Sequence, residues 1–333
     1  MSSIKNIGKY LDQPILVGKF AKAVPTVLTG CATAIGGINV YKAPEEEKYR
    51  TSVHSAIVLA STFVSALVAP KISAKLVGAT YEKVDIKKIV KKNEELIKTF
   101  LEKNKISDEA KTLLDKGKDN ILKPKEIKIL TSELNKTKSG EKFLKEFIPE
   151  PENITSKDII KDMGRLSIMG AIPVIGGILG GTLADRITDK EHWKKKFPNK
   201  VKEGVYQYLA NIFLCNVGAA GALGIMEACK IKSKAARALA MVSGIILTGV
   251  VGGSFLANTI SKKLIEKPLN KKFDVQEENS RSRKPEILDI CLHTDDIATI
   301  AVMSGFKWIE PALPMLYAIS GYRAAIGYRN KDS

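Results

Sequence analysis

The stretch LAMVSGIILTGVVGGSFLANTI (residues 239–260) contains 22 residues and no charged side chain. A helix needs about 20 apolar residues, at 1.5 Å per residue, to cross the hydrocarbon core of a bilayer. A surface helix of a soluble protein keeps a polar stripe for water, and this segment has none. It therefore predicts a membrane-spanning helix.

Five further apolar blocks flank this stretch and have similar lengths. They cover residues 23–40, 53–70, 166–184, 205–229 and 295–322. Together the blocks predict an all-α, polytopic membrane protein with about five or six membrane helices, located in the membrane as a multi-pass protein. The alternative is a large soluble helical protein whose helices are deeply buried.

Between the second and third blocks, residues 78–160 are rich in Lys and Glu and differ in kind from the apolar blocks. Apolar side chains recur there at helical spacing, for example at Ile86, Ile89, Val90, Ile97, Phe100 and Leu101. The pattern predicts a basic, amphipathic helical insert outside the membrane. The domains are then an N-terminal membrane hairpin (1–77), the insert (78–160), and a C-terminal membrane region (161–333) with a polar loop at 262–286.

The formal net charge of +17 suggests a polyanionic partner, unless it reflects a general bias toward lysine. Aromatic residues are only 6% of the chain, so stacking surfaces for nucleic acid are not evident and nucleic acid is an unlikely partner. The expected partners are the lipid bilayer and its anionic headgroups, with a homo-oligomer as a further possibility. The four cysteines have no paired spacing, so no disulfide or zinc site is predicted.

Cys31 allows two interpretations, because Leu28-Thr29-Gly30-Cys31 fits the cleavage pattern of a lipoprotein signal. Lys19, Lys22 and Pro25 interrupt the apolar core that such a signal requires, and the residues after Cys31 stay apolar. The sequence therefore favours a position inside the first membrane helix.

An internal repeat is suggested by residues 51–76, which align without gaps on residues 239–264 and match ISAKL with ISKKL. If the similarity is a true duplication, blocks one and two form a helical hairpin that recurs as blocks four and five. Chance similarity between small-residue helices is the alternative.

Glycines at fixed spacing predict where helices pack closely. The candidates are Gly176, Gly177, Gly180, Gly181, Gly252 and Gly253. The first four form two overlapping GxxxG patterns, which expose bare backbone to a neighbouring helix. The pattern is typical of self-assembling or pore-lining helices and of close packing inside one bundle.

Four prolines are predicted to break apolar helices: Pro25, Pro173, Pro311 and Pro314. If all six blocks crossed, the insert would be cytoplasmic but the basic segments at 186–202 and 261–272 would not, against the positive-inside rule. A re-entrant turn of block 166–184 at Pro173 removes most of the conflict. This arrangement is the preferred one, with the insert on the cytoplasmic side.

Few ionisable groups lie within the apolar blocks. Lys307 and Glu310 are three residues apart and form a candidate transport or interfacial pair beside Pro311 and Pro314, while His54 and Glu227 lie near helix ends. In the insert, Asp115, Asp119 and Glu126 give a weak EF-hand-like outline, which four lysines oppose. The cluster Asp289, Cys291, His293, Asp295 and Asp296 scatters around a helix, so no metal and no cofactor are predicted.

Two function classes follow from these observations. The first is a membrane scaffold, assembly or remodelling protein, which packs through small-residue helices and holds anionic lipid surfaces with basic loops. The alternative is a transporter or channel built from repeated hairpins and proline-broken helices. No nucleophile, phosphate-binding or metalloprotease motif occurs, so an enzyme is not expected.

Overall fold

The structure is a computed structural model that describes residues 9–79, 84–149, 156–231, 234–273 and 307–327. These residues form helices and turns, with no β-strand among them. The thirteen helices named here are α1 Pro14–Lys42, α2 Lys48–Leu76, α3 Ile86–Lys103, α4 Asp108–Gly117, α5 Pro124–Leu134, α6 Lys138–Phe147, α7 Ser156–Thr188, α8 Trp193–Tyr208, α9 Leu214–Ala228, α10 Lys234–Ile245, α11 Ser254–Ile260, α12 Lys267–Phe273 and α13 Leu313–Ile326. The predicted all-α class is confirmed.

Shorter helical segments join some of these helices. Two are 3₁₀ segments, Glu45–Glu47 and Lys307–Ala312, and three are π-helical segments, Leu209–Phe213, Ile246–Gly253 and Ser261–Glu266. A π turn inserts one extra residue and widens the helix, so it changes which side chains share a face. Helices α8 and α9 are therefore one long rod with a shift of face near its middle.

Four helical stretches in the described chain are long and apolar enough to cross a membrane: Pro14–Lys42, Glu45–Leu76, Lys157–Thr188 and Trp193–Ala228. Leu239–Gly249 is a shorter apolar helix. The segment 239–260, expected as a single span, changes from α-helix to π-helix at Ile246. In the block 295–322, residues 295–306 lie outside the described residues.

The contacts between residues divide the chain into two compact units. The described part of the first unit consists of residues 9–24, 84–149 and 307–311. Its core lies among α3 to α6, where Phe100 stacks on Phe143 at a centroid distance of 4.3 Å and Leu114, Ile127 and Leu130 are fully buried. Apolar side chains at the amphipathic spacing predicted from the sequence fill this core.

Polar side chains cap the first turns of three helices in this unit. Asp85, Ser107 and Thr137 precede α3, α4 and α6, and each side chain accepts a backbone N–H of the first turn. Such caps satisfy donors that have no partner within the helix, typically with about 1 kcal/mol of stabilisation. They explain why short helices with many lysines begin at these positions.

Residues 9–24 belong by contacts to the unit of the insert, although the sequence analysis assigned residues 1–77 to one hairpin. The Gln13 side-chain amide donates to the Leu122 carbonyl at 2.9 Å and accepts the Leu122 N–H at 2.8 Å. Gly18 lies against Ile86 and Ile89. The start of α1 is therefore a structural part of this unit.

The second unit contains α2, α7, α8, α9 and α13 together with α10 to α12. Helices α2 and α7 run antiparallel, since Arg50 at the start of α2 contacts Asp189 just beyond the end of α7. Helix α13 packs against both of them and against α8. Helix α9 packs against α10, and the π segment Ile246–Gly253 packs against the π segment of α8–α9.

The expected helix breaks at Pro25 and Pro173 are not observed, because both prolines lie inside continuous helices. The re-entrant turn predicted for block 166–184 is therefore wrong: residues 156–188 form one helix of 33 residues. A proline removes one helical hydrogen bond, and packing against neighbouring helices can offset that loss where backbones approach closely. Gly321 of α13 permits such an approach, because a Cβ added there would lie 2.8 Å from the Pro173 carbonyl carbon.

Candidate functional site

A buried carboxylate lies where α2, α7, α8 and α13 meet. Asp185 of α7 is 2% exposed, and its Oδ2 lies 3.0 Å from the Lys200 Nζ of α8. His54 Nε2 of α2 lies 3.1 Å from Asp185 Oδ1, and Lys200 also donates to the Ala325 carbonyl of α13. This Asp185 network, formed by Asp185, Lys200 and His54, joins the ends of four helices through one carboxylate and one ammonium.

A second carboxylate, Asp189, lies just outside the predicted spans and gathers three cationic or protonatable groups. Lys196 Nζ, His192 Nδ1 and Arg50 Nη2 approach its oxygens at 2.8, 2.9 and 3.0 Å. The Lys196 ammonium, followed by His192 and Arg50, holds the pKa of Asp189 well below its usual range. Asp189 is therefore an anion at neutral pH that fixes the turn between α7 and α8 to the start of α2.

A row of buried polar side chains continues along α8 away from the Asp185 network. Glu203, which is fully buried, accepts the Gln207 side-chain N–H at 2.7 Å, and Gln207 accepts the Asn211 side-chain N–H at 3.0 Å. Arg323 Nε of α13 lies 3.9 Å from Glu203 Oε1. We call Glu203, Gln207, Asn211 and Arg323 the Glu203 row.

The π segment Leu209–Phe213 extends this polar face one wide turn further. Asn216, five residues after Asn211, donates its side-chain N–H to Ser167 Oγ of α7 at 3.2 Å, and both are buried. Within a continuous α-helix a five-residue step would rotate the side chain well off the face of Asn211. The extra residue of a π turn favours a shared face.

Charges inside apolar helices are costly unless they are paired, and in membrane helices they are functional-site candidates by default. Asp185, Lys200, Glu203 and Arg323 were not predicted as site residues from the sequence. Only His54 was noted, as a residue near a helix end. The missed signal was the helical spacing of Lys200, Glu203, Gln207 and Asn211, which continues an apolar block with polar residues on one face.

The two GxxxG patterns of α7 lie against two different helices. Gly176 and Gly180 face Ser65 and Ser61 of α2, and a Cβ added at Gly176 would lie 2.6 Å from Ser65 Cβ. Gly177 and Gly181 face α13, where an added Cβ would lie 2.7 Å from the Gly321 carbonyl carbon and 2.8 Å from that of Ala325. Both faces are thus occupied by helices of the same chain.

A second close crossing joins α8–α9 to the helix that follows it. Cβ atoms added at Gly218 or Gly244 would each lie within 3 Å of the other residue's carbonyl carbon. Gly253 lies against Ala210, with 2.7 Å from its added Cβ to the Ala210 Cα. The side of Gly252 approaches only the Leu247 carbonyl of its own helix. Gly218 and Gly244 had not been singled out from the sequence.

The residues proposed for transport lie elsewhere. Lys307, Glu310 and Pro311 are in the 3₁₀ segment Lys307–Ala312, and residues 307–311 belong by contacts to the first unit rather than to the glycine-packed helices. The side chain of Lys307 is not among the described side chains. Pro314 is the second residue of α13, a position that tolerates proline because the first N–H groups of a helix have no helical partner.

The EF-hand-like outline rested on three acidic residues, Asp115, Asp119 and Glu126. Glu126 accepts the Lys116 ammonium at 2.5 Å and the Lys123 backbone N–H at 2.7 Å, which holds the pKa of Glu126 below its usual value. Asp115 pairs with Lys118 at 2.7 Å. Asp115 and Glu126 thus bind lysines, and Asp119 accepts the Asn120 side-chain N–H at 2.8 Å. The described part of the chain holds no group of three or more potential metal ligands. The cluster from Asp289 to Asp296 lies outside the described residues.

Aromatic and basic side chains cluster at the end of the second unit where α7 ends and α8 begins. Arg186 lies over the Trp193 ring, with 5.1 Å from its Cζ to the ring centroid. Phe273 of α12 packs edge-on against Trp193 and Phe197, at centroid distances of 6.2 and 5.5 Å, and Lys272 lies over the Phe273 ring. We call these five residues the basic rim.

The described geometry thus contains two candidate features, a buried charged network between helices and a basic rim at one end. Neither has the arrangement of a nucleophile beside a general base, and each charge of the Asp185 network has an opposite charge as neighbour. Comparison with protein-family models, with curated proteins and with solved structures finds no match to this chain.

Proposed function

We propose that this chain is a multi-pass integral membrane protein whose helices form a fixed scaffold, with charged ends that hold anionic lipid headgroups. The observation that carries the proposal is the two-sided character of α7. One face has Gly177 and Gly181 packed on α13, while Leu179 and Leu183 on another face are 65% and 51% exposed. A row of exposed leucines is unfavourable in water and favourable in contact with lipid acyl chains.

The other helices of the second unit support the same proposal. Helix α2 exposes Val64, Leu67, Val68 and Ile72, and the helix from α10 to α11 exposes Leu239, Leu247 and Phe255. The close glycine crossings need no hydrophobic driving force, since dispersion between approaching backbones holds helices together in lipid. A bundle packed in this way suits a structural role, and the GxxxG faces are used within the chain rather than for self-assembly.

Membrane insertion is tested by alkaline carbonate extraction of the full chain from the host membrane, together with intact mass. The chain should stay in the membrane pellet and retain residues 1–30. Release into the supernatant would support a deeply buried soluble helical protein instead. A mass that lacks residues 1–30 would show that Cys31 begins a processed lipoprotein.

A second candidate function, a transporter or channel, is favoured by the Glu203 row. A carboxylate without solvent exposure beside two amides and a guanidinium is typical of ion pathways in membrane proteins. Proteoliposomes with an internal pH dye and a potassium diffusion potential would measure proton flux. Flux that is present in the wild type and lost in Glu203→Gln, but kept in Glu191→Gln, would favour transport, whereas no flux above that of empty vesicles favours the scaffold.

A further inference from the structure

We propose that the basic rim binds the headgroup of an anionic phospholipid from the surrounding bilayer. The inference deepens the proposed function and rests on it, because it requires the end of α7 to lie at a membrane surface. It assigns the lipid contact to particular residues at the α7–α8 turn and at α12, rather than to the insert, where lysines are most numerous.

The charge of the insert argues against the insert as the main lipid contact. Residues 78–160 contain 19 lysines but also 16 acidic residues. Several of these lysines already pair with carboxylates, as Lys111 does with Asp108 at 2.8 Å and Lys145 with Glu141 at 2.6 Å. Paired charges of this kind leave little net attraction for an anionic surface.

The two stretches that form the basic rim have a much stronger positive balance. Residues 186–196 and 262–272 together contain ten Lys or Arg and three Asp or Glu. Helix α8 packs against both the π segment Ser261–Glu266 and α12, so the two stretches lie side by side. Each cation near an anionic bilayer surface is worth about 1 kcal/mol.

The aromatic members of the rim fit a membrane interface. Trp193, Phe197 and Phe273 are each partly exposed, and Phe273 packs on the other two rings. Arg186 lies over Trp193, and Lys272 lies over Phe273. Tryptophan at the headgroup level is a typical anchor of membrane helices. The cations above the rings are then placed at the depth of the lipid phosphates.

An apolar strip leads directly up to the rim and favours a lipid over a soluble polyanion. Leu179, Leu183 and Ile187 of α7 are each at least 50% exposed and recur every four residues, so they line one face that ends beside Arg186. A nucleic acid has no long apolar chain that could pack along such a strip. A phospholipid places its phosphate at the cations and its acyl chains along the leucines.

Trp193 makes the proposal measurable, because the chain contains only two tryptophans. The full-length Trp308→Phe variant leaves Trp193 as the single fluorophore. It is reconstituted into vesicles of phosphatidylcholine that contain, at equal mole fraction, either phosphatidylglycerol or phosphatidylcholine with brominated acyl chains. We expect stronger quenching of Trp193 by the brominated phosphatidylglycerol, and a decrease of this preference at high salt.

Substitutions then locate the preference. Each of Arg186→Gln and Lys272→Gln should lower the relative affinity for the anionic lipid by about fivefold, the factor that corresponds to ~1 kcal/mol. Arg186→Lys, which keeps the charge, should retain the preference. The matched control Lys111→Gln with Lys145→Gln removes two cations from the insert and should leave the preference unchanged.

The outcomes separate this proposal from the proposed function. Equal quenching by the two brominated lipids, or a preference that follows the insert variant rather than the rim variants, overturns the headgroup site while leaving membrane insertion intact. Absence of quenching by either lipid overturns both, since Trp193 would then not lie at the bilayer. Loss of the anionic preference on addition of a short RNA, without loss of quenching by phosphatidylcholine, would assign the rim to nucleic acid instead.

Discussion

At the residue scale, the buried pair of Asp185 and Lys200 is the most consequential feature of the second unit. Each side chain is about 2% exposed, and without Lys200 the Asp185 carboxylate would keep only His54 at 3.1 Å and the partly exposed Lys196 at 4.0 Å. Isolated charges in an apolar environment cost far more than the pair itself. The pair therefore acts mainly as a constraint on which helices meet and in what register.

A double-substitution cycle tests this constraint. Lys200→Met leaves the Asp185 carboxylate without its ammonium and should lower the free energy of unfolding by about 3–5 kcal/mol. The double variant Asp185→Asn with Lys200→Met should be more stable than Lys200→Met alone, because no charge is then left unpaired. Thermal unfolding in detergent, followed by circular dichroism, measures both. Lys145→Met at the exposed insert pair is the control and should have no measurable effect; additive losses at the buried pair would contradict its coupling.

Asp189 should make the stability of the folded protein increase with pH in the acidic range. Its folded-state pKa lies below the unfolded value of about 3.9, so its stabilisation is complete above that value and is lost as pH falls through the folded-state pKa. Asp189→Asn removes this contribution at neutral pH. The difference in unfolding temperature between wild type and variant should therefore be larger at pH 6 than at pH 2, and an equal difference at both values would show that Asp189 is not stabilised by its cations.

Sequence reasoning could not identify these charged partners. Lys200 was assigned to a basic segment, while Asp185 and Arg323 lie just beyond the ends of two apolar blocks, because each block was defined only by neighbouring residues. Their pairing depends on the antiparallel packing of α7 and α8 and on the register of α13. Arg323 is also 120 residues from Glu203 along the chain. Local composition carries no information about such contacts.

At the element scale, small residues determine which helices can approach. The sequence predicted close packing at the GxxxG positions of α7, without identifying a partner for either face. It also suggested that residues 51–76 repeat as 239–264, and this alignment matches Ser61 with Gly249 and Ser65 with Gly253. All four positions lie at close helix crossings. The two serines contact α7, and the two glycines contact the α8–α9 rod. The duplication remains a prediction, which this correspondence favours.

The crossing of α7 and α13 makes an element-scale prediction. Gly177→Ala places a methyl group against the Gly321 backbone, so the two helices must separate, and overpacking of this kind costs about 1–3 kcal/mol. The matched control is Gly221→Ala in α9, where an added Cβ meets nothing within 4 Å. Alanine there should be neutral or stabilise by up to about 1 kcal/mol. Thermal unfolding of the two variants in the same detergent compares them; an equal change in both variants would contradict the close crossing at Gly177.

Prolines show why element boundaries were harder to predict than elements. A proline inside an apolar block was expected to break the helix, and at Pro25 and Pro173 the helix continues. The general cost of proline holds for an isolated helix, whereas here α13 and α2 pack along α7 on both sides of Pro173. At Pro311 the backbone is 3₁₀ rather than α-helical.

At the scale of the whole molecule, the continuous α7 has consequences for membrane sidedness. Helices α2 and α7 are antiparallel over their full length: Arg50 contacts Asp189 at one end, Ser65 faces Gly176 in the middle, and Val77 lies 4.0 Å from the side of Gly164 toward the other end. The chain leaves α2 at Leu76 and enters α7 at Ser156. Both of these positions lie at the end of the pair that is away from Asp189.

This arrangement predicts that the two ends of the α2–α7 pair face opposite sides of the bilayer if both helices cross it. The test starts from a variant in which all four native cysteines are replaced by alanine, with one new cysteine at Lys75 or at Lys195, both of which are exposed. A membrane-impermeant maleimide applied to sealed vesicles of one orientation should label one variant and not the other, and permeabilisation should expose both. Labelling of both from the same side would mean that the chain returns to its starting face between these positions, which a continuous helix of 33 residues that crosses the bilayer does not permit and a re-entrant turn at Pro173 would.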